Sequence, residues 1–317
     1  GYIGQHCATE LLNQGYEVLG TFRSKSKADA TKSALAKVTS TDKLSFVELD
    51  LMSDTGWSEA MKDCQFVIHM ASPFFLKEPV DENELLEPAV KGTLRVIEAA
   101  KKAGIKRLVL TSSTFAIIAG KETGKYGPED WSDTNADIGA YAKSKTLAER
   151  AAWESAKGGH MELTVINPGA VFGPSLGAQI DGQSVAMMTK MIKGQVPMIP
   201  DLAMGMVDVR DVAKLHVSAM TASAAAGQRF IACTSEPVEM ATLAKVLRDA
   251  GYKKVPSMKA PTFVLKFMSL FDREAKGMIP FLGKKAALDN SATLKILNWK
   301  PTPMASSFKE MASTISQ

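Results

Sequence analysis

Residues 82–112 read ENELLEPAVKGTLRVIEAAKKAGIKRLVLTS. A long helical pattern over about 82–103 stops at Gly104, and an apolar strand over 106–112 ends in hydroxyls. The same unit repeats on both sides. Upstream, Ile3, Cys7, Leu11 and Leu12 give residues 4–14 a helical stripe that ends before Gly15. Residues 17–23 then read as a short buried strand, 43–49 as a strand, 55–62 as a helix and 65–70 as a strand. Downstream, an Ala-rich helix over 140–156 precedes a strand at 162–167. Alternation of this kind implies an α/β fold, a doubly wound parallel sheet covered by helices on both faces.

Beyond Pro174 the pattern loosens into a Met-rich helix near 185–193, a short strand at 206–209, a helix capped by Asp211 and a strand at 228–233. The expected organisation is a nucleotide-binding domain over 1–172 completed by about 206–234. A smaller, mostly helical substrate lobe is expected from 173–205 and 235–317, where helices alternate with Pro-containing loops. Met187, Met188, Met191, Met198, Met204 and Met206 concentrate there. Flexible thioethers suit an adaptable pocket, but most of these read as helix core. His216 likewise reads as a packed helix residue.

Composition narrows the partners. With 317 residues, 45% hydrophobic and 23% charged, the chain has the balance of a soluble globular protein, and no apolar run approaches a membrane span. The charge of +4 arises from 38 basic and 34 acidic residues without a dense basic stripe, which argues against nucleic acid. Cys7, Cys64 and Cys233, odd in number and far apart, suit reduced thiols and a cytoplasmic location. Four scattered histidines argue against a zinc cluster, so no metal is expected.

Three local patterns carry chemistry. Gly1-Tyr-Ile-Gly4 stands before a helical pattern, the context in which a helix N-terminus holds a pyrophosphate. Nineteen residues beyond Gly4 stands Arg23, where an acid would read a bare adenosine ribose. Arg23, Lys25 and Lys27 instead form a basic loop suited to a ribose phosphate, and so to NADP(H). Tyr141-Ala-Lys-Ser-Lys145 places a phenol and an ammonium on one helical face. A phenol has an ordinary pKa of about 10, and a cation about 4 Å away contributes on the order of 4 kcal/mol at an effective dielectric of 20. About three pH units is therefore the most by which Lys145 lowers the pKa of Tyr141. Ser113, at the end of the 106–112 strand, is placed to bind the same carbonyl oxygen.

Taken together, Gly1-Tyr-Ile-Gly4, Asp50-Leu51, His69-Met-Ala-Ser-Pro73, Thr111-Ser-Ser113, Tyr141-Ala-Lys-Ser-Lys145 and Asn167-Pro-Gly-Ala-Val-Phe-Gly-Pro174 resemble the extended short-chain dehydrogenase/reductases, a Rossmann-fold family. Val207-Asp-Val-Arg-Asp-Val-Ala213 and Leu297-Asn-Trp-Lys-Pro301 extend the match toward the branch of dihydroflavonol, cinnamoyl and aldehyde or methylglyoxal reductases. The resemblance implies Tyr141 as acid, Ser113 as carbonyl polariser, and Lys145 as the nicotinamide-ribose ligand that lowers the pKa of Tyr141. It also implies a cofactor site of Gly1, Tyr2, Ile3, Gly4, Arg23, Lys27, Asp50, Leu51, Ala71, Pro73, Thr111, Tyr141, Lys145, Pro168 and Val171. Phe74, Phe115 and Ile118 would line the substrate pocket. A first strand and a further glycine are expected before Gly1. Arg95 stands where many relatives have asparagine and is given no role. Ile118 replaces an asparagine that grips the flavonoid in plant dihydroflavonol reductases, which argues against a flavonoid substrate.

The leading expectation is NADPH-dependent reduction of a small aldehyde or ketone by a monomer or homodimer. A sugar-nucleotide epimerase or dehydratase uses the same tyrosine and lysine, but between 173 and 205 only Lys190 and Lys193 are cationic. A nicotinamide-sensing regulator is the third alternative, and it has no use for a proton donor.

Overall fold

A computed structural model describes residues 1–72, 79–176 and 182–315. The first half runs α1 (Tyr2–Asn13), β1 (Val18–Phe22), α2 (Lys25–Leu35), β2 (Leu44–Glu48), α3 (Trp57–Met61), β3 (Phe66–His69), α4 (Asn83–Lys102), β4 (Arg107–Thr111), α5 (Phe115–Ile118), β5 (Gly124–Tyr126), α6 (Ala140–Ala156) and β6 (Glu162–Pro168). The second half runs β7 (Ala170–Phe172), α7 (Gln183–Ile192), β8 (Ala203–Met204), β9 (Met206–Asp208), α8 (Val209–Thr221), β10 (Arg229–Ala232), β11 (Val238–Glu239), α9 (Met240–Asp249), α10 (Thr262–Met268), α11 (Arg273–Met278), β12 (Ala286–Leu288), α12 (Ser291–Ile296) and α13 (Met304–Ile315).

Parallel strands in the order β10-β6-β4-β3 form the main sheet, and β1 pairs with β2 in a separate parallel piece. Period-two alternation divides β4 between the two faces. Leu108 and Leu110 pack with Val96 and Ile97 of α4 and Ala152 of α6. Val109 packs with Val212, Leu215 and Ala219 of α8. Helices thus cover both faces, as parallel strands require. Between the two pieces, β1 and β3 border one cleft of about 2120 Å³, and no described strand joins them. Residues 17–23 were expected to form a buried strand. Residues of β1 instead alternate between exposed and half-buried, because the strand lines this open cleft.

Three other expectations shift. The helix anticipated at residue 4 begins at Tyr2, so Gly1 is its N-cap and Tyr2-Ile-Gly4 its first turn. The basic loop is the start of α2, with Ser24 at the N-cap position and Lys25 and Lys27 in its first turn. Asp208, not Asp211, caps α8 by accepting from the Arg210 backbone N–H at 2.8 Å. Asp211 binds the backbone N–H and hydroxyl of Thr302 instead, at 2.7 and 2.9 Å.

A second core gathers α7, α9 and α13 around Phe172, Leu243, Leu247 and Phe308, with Met188, Met191, Met206 and Met311 buried among them. Met187, Met198 and Met204 are only partly buried and line the cleft. The bridge between the two cores is tight at Gly169. Its N–H donates to the Ala232 carbonyl at 3.1 Å, and a Cβ there would stand 2.2 Å from the Gly205 carbonyl oxygen. The obstacle is backbone, which a rotamer change does not relieve. Gly169→Ala is expected to cost roughly 3 kcal/mol and to lower Tm by about 4–5 °C. A thermal melt within a degree of the parent chain would count against this packing.

Candidate active site

The site forms where β4 ends. Ser112, Ser113 and Thr114 are all buried, and the Ser113 hydroxyl accepts the Phe115 N–H at 3.1 Å as the chain turns into α5. On α6, Tyr141 and Lys145 are one turn apart and project toward this strand end. Tyr141 shares a side-chain hydrogen bond with Ser113, and Lys145 Nζ donates to the Thr111 carbonyl at 3.5 Å. The three residues singled out for chemistry are therefore brought together.

Their electrostatics differ from the sequence expectation in one respect. Burial pushes Tyr141 up to about 12, and the Ser113 hydrogen bond only partly opposes it. The expected lowering by Lys145 does not appear: only burial and the Ser113 hydrogen bond act on Tyr141, because a lysine lowered to about 8 is already neutral where this phenol would ionise. Lys145 is lowered to about 8, also by burial, against the opposing pull of Glu149. His69, on β3, is held down to about 3 by burial and by the charge of Lys145. Around neutral pH the cluster thus consists of a protonated phenol, a mostly cationic lysine and a neutral imidazole. His216 supports it from α8. Its Nδ1 lies 2.8 Å from the Val212 carbonyl and must donate, so Nε2 accepts the Thr111 hydroxyl at 2.6 Å.

The cleft reaches from this cluster to the N-terminus of α1. Gly1, Tyr2, Ile3, Gly4, Arg23, Lys27, Ala71, Ser113, Phe115, Ile118, Tyr141 and Val171 line it. Asp50, Leu51, Thr111, Lys145 and Pro168 do not. Asp50 closes a turn by accepting the Met52 N–H at 2.9 Å, Leu51 packs on Gly92, and the Pro168 carbonyl accepts the Thr114 N–H at 2.9 Å. Tyr2 turns inward, its hydroxyl donating to the Gly173 carbonyl at 2.7 Å. Pro73 and Phe74 lie outside the described residues.

A dinucleotide fits this donor set. The opening N–H groups of α1 have no turn above them and carry its positive end. Gly4 leaves room, since an added Cβ would meet only Met70 Cε at 3.9 Å. Arg23, exposed just beyond β1, supplies a guanidinium on the same cleft. Among the described residues no cluster suited to a metal ion occurs.

Several contributors carry little sequence signal. Phe281, from beyond α11, stacks on Phe115 at 4.7 Å between ring centres, and Phe115 meets Tyr141 edge-on at 6.2 Å. Arg95, given no role from sequence, reaches from α4 to the Leu51 carbonyl and to Asp54. It fixes the turn after β2. Glu149 and Arg229, neither singled out, form a buried ion pair at 2.6 Å directly behind Ser112.

Residues 1–233 match the NAD dependent epimerase/dehydratase family. The chain is 31% identical over 340 residues to the NADPH-dependent methylglyoxal reductase GRE2 of Saccharomyces cerevisiae, covering 99% of this chain and 95% of that protein. It is 31% identical over 273 residues to the cinnamoyl-CoA reductase CAD2 of Medicago truncatula, covering 82% and 80%. The crystal structure of yeast methylglyoxal/isovaleraldehyde reductase Gre2 complexed with NADPH superposes with a TM-score of 0.81 at 27% identity, covering 99% of this chain and 95% of that one. With most of its length matched and its βα order preserved, the chain belongs to the NAD dependent epimerase/dehydratase family, among the extended short-chain dehydrogenase/reductases.

Proposed function

We propose that the protein reduces an aldehyde or ketone to an alcohol with NADPH. The observation that carries this reading is the Tyr141–Ser113 pair beside Lys145, set at the carboxyl end of β4 and facing a cleft with an aromatic wall. When bound, NADPH supplies a hydride to the carbonyl carbon. Tyr141, protonated at neutral pH, gives its proton to the carbonyl oxygen. Ser113 donates a second hydrogen bond to that oxygen. Lys145 stabilises the phenolate left behind and is the residue that would hold the nicotinamide ribose. The α1 N-terminus would take the pyrophosphate, Arg23 and Lys27 the ribose phosphate, and Ala71 and Val171 the cleft wall beside the cofactor. Residues 173–205 and 235–317 would form the substrate lobe.

Phe115, Ile118 and Phe281 offer an apolar wall, which favours small or aromatic uncharged carbonyls. Lys121 and Lys284 also line the cleft, but Asp130 and Glu122 neutralise them at 2.6 and 3.0 Å. A sugar diphosphate therefore finds few free cations near this wall. The names of the yeast and Medicago relatives support the same class of reaction. A cytoplasmic monomer or homodimer suits the three free cysteines and a chain whose described helices include none able to cross a membrane. NADPH oxidation followed with methylglyoxal, isovaleraldehyde, aryl ketones and UDP-sugars tests the reading. Turnover of a simple carbonyl is expected. Tight UDP-sugar binding with no carbonyl-dependent oxidation would replace it with the epimerase reading.

A further inference from the structure

Glu149 lies two turns beyond Tyr141 and one beyond Lys145 on α6, and its side chain is fully buried. Four donors surround its carboxylate. Ser112 Oγ and Asn167 Nδ2 donate to Oε2 at 2.5 and 2.8 Å, while Arg229 Nε and Trp153 Nε1 donate to Oε1 at 2.6 and 3.2 Å. All four contacts run from donor to carboxylate oxygen, the arrangement that suits an acceptor-only group. Asn167 Nδ2 also donates to the Ser113 carbonyl at 3.1 Å. One carboxylate thus fixes the backbone of Ser113 and sets a negative charge one turn behind Lys145. Arg229 is anchored in turn by the Pro128 and Asp130 carbonyls, at 2.5 and 2.7 Å, and lies 3.9 Å over the Trp131 ring.

A buried ion pair is weak support for stability on its own, because desolvation offsets much of the attraction. Its location against the reacting strand end gives it another use. We infer that Glu149 is a positioning residue for the reaction: it fixes Ser113 through Asn167 and extends to higher pH the range over which the buried Lys145 is cationic. This rests on the reductase reading above for its consequence in turnover, but not for its effect on Lys145.

The other titratable groups around Lys145 do not provide that charge. His69 on β3 is neutral, and Tyr141 on the same helix is protonated. The α4 charges that reach α6 act elsewhere: Glu82 binds Lys143 at 2.7 Å, and Lys101 binds Ser155. On β4 the Thr111 carbonyl is uncharged, and from β10 Arg229 is already paired with Glu149. Burial lowers Lys145 to about 8, and among the described residues Glu149 is the charge that resists this shift.

Glu149→Gln keeps the shape and removes the charge. The Lys145 midpoint is expected to fall by about one pH unit. It is read from the Lys145 side-chain resonance in lysine-labelled protein, assigned with Lys145→Arg. With methylglyoxal as probe, kcat/KM should drop about fivefold at pH 8 and change little at pH 6, because the basic limb moves to lower pH. A loss equal at both pH values, or an unmoved Lys145 resonance, overturns the inference. If Glu149→Gln does not fold, Glu149→Gln/Arg229→Met removes both buried charges together, and the same downward shift is expected. Absence of carbonyl reduction by the parent chain would defeat the functional reading alone, since the resonance reports on Lys145 without turnover.

Discussion

Tyr141→Phe is expected to lower kcat for carbonyl reduction by about 10²–10⁴-fold, the range for loss of a general acid, while NADPH affinity stays within about twofold. The side chain loses only its hydroxyl. The edge-on contact with Phe115 is made by the ring and survives. Ser113 remains anchored through the Phe115 N–H, so the strand end keeps its shape. What disappears is the proton for the carbonyl oxygen, and neighbouring groups are poor substitutes. His69 is neutral in a dry site, and Lys145 Nζ donates to the Thr111 carbonyl. Lys145→Ala should differ in kind by weakening NADPH binding as well as turnover. Single-turnover rates and NADPH fluorescence titration separate the two terms. Tyr141→Phe turning over like the parent under conditions where chemistry limits the rate would end the proposed mechanism.

The same locality explains which features could be read from sequence. The Ala-rich run predicts the α6 helix with its observed limits, Ala140–Ala156, and i, i+4 spacing alone sets Tyr141 and Lys145 on one face. The β4 strand and the helix before it were equally plain, because apolar runs and a glycine stop are local signals. By contrast, α2 buries only Ala28, Ala34 and Leu35, and a helix with so slight an apolar stripe passes for a charged loop. Glu149 stood in view four residues beyond Lys145, but its meaning depends on Arg229, eighty residues away, and on Asn167 from another strand. The same is true of Phe281 against Phe115. Spacing cannot express such contacts. The raised pKa of Tyr141 escapes the sequence for a related reason. A charge on the same helix is visible in sequence, whereas the extent of burial that opposes it is a property of the whole fold.

Arg23→Asp is expected to invert cofactor choice. Arg23 lies exposed just past the end of β1, lines the cleft, and is followed by Lys27 in the first turn of α2. A guanidinium there has a phosphate partner only in NADPH, where charged hydrogen bonds contribute about 1.5–3 kcal/mol each. Losing it should weaken NADPH by roughly ten- to a hundredfold and leave NADH almost unaffected. The aspartate goes further in both directions. It sets a carboxylate against the ribose phosphate and offers an acceptor to the bare hydroxyl of NADH, so discrimination gains a repulsive element as well as an attractive one. Lys27 remains on the cleft and softens the loss for NADPH. Because Arg23 follows β1 while Tyr141 stands on α6, and no contact joins Arg23 to the Tyr141–Ser113 pair among the described residues, the change should appear in cofactor KM with kcat nearly unchanged at saturation. The measurement is kcat/KM for NADPH and NADH in the parent chain and in Arg23→Asp. A parent that prefers NADH, or a variant whose ratio does not move, would remove Arg23 from cofactor recognition.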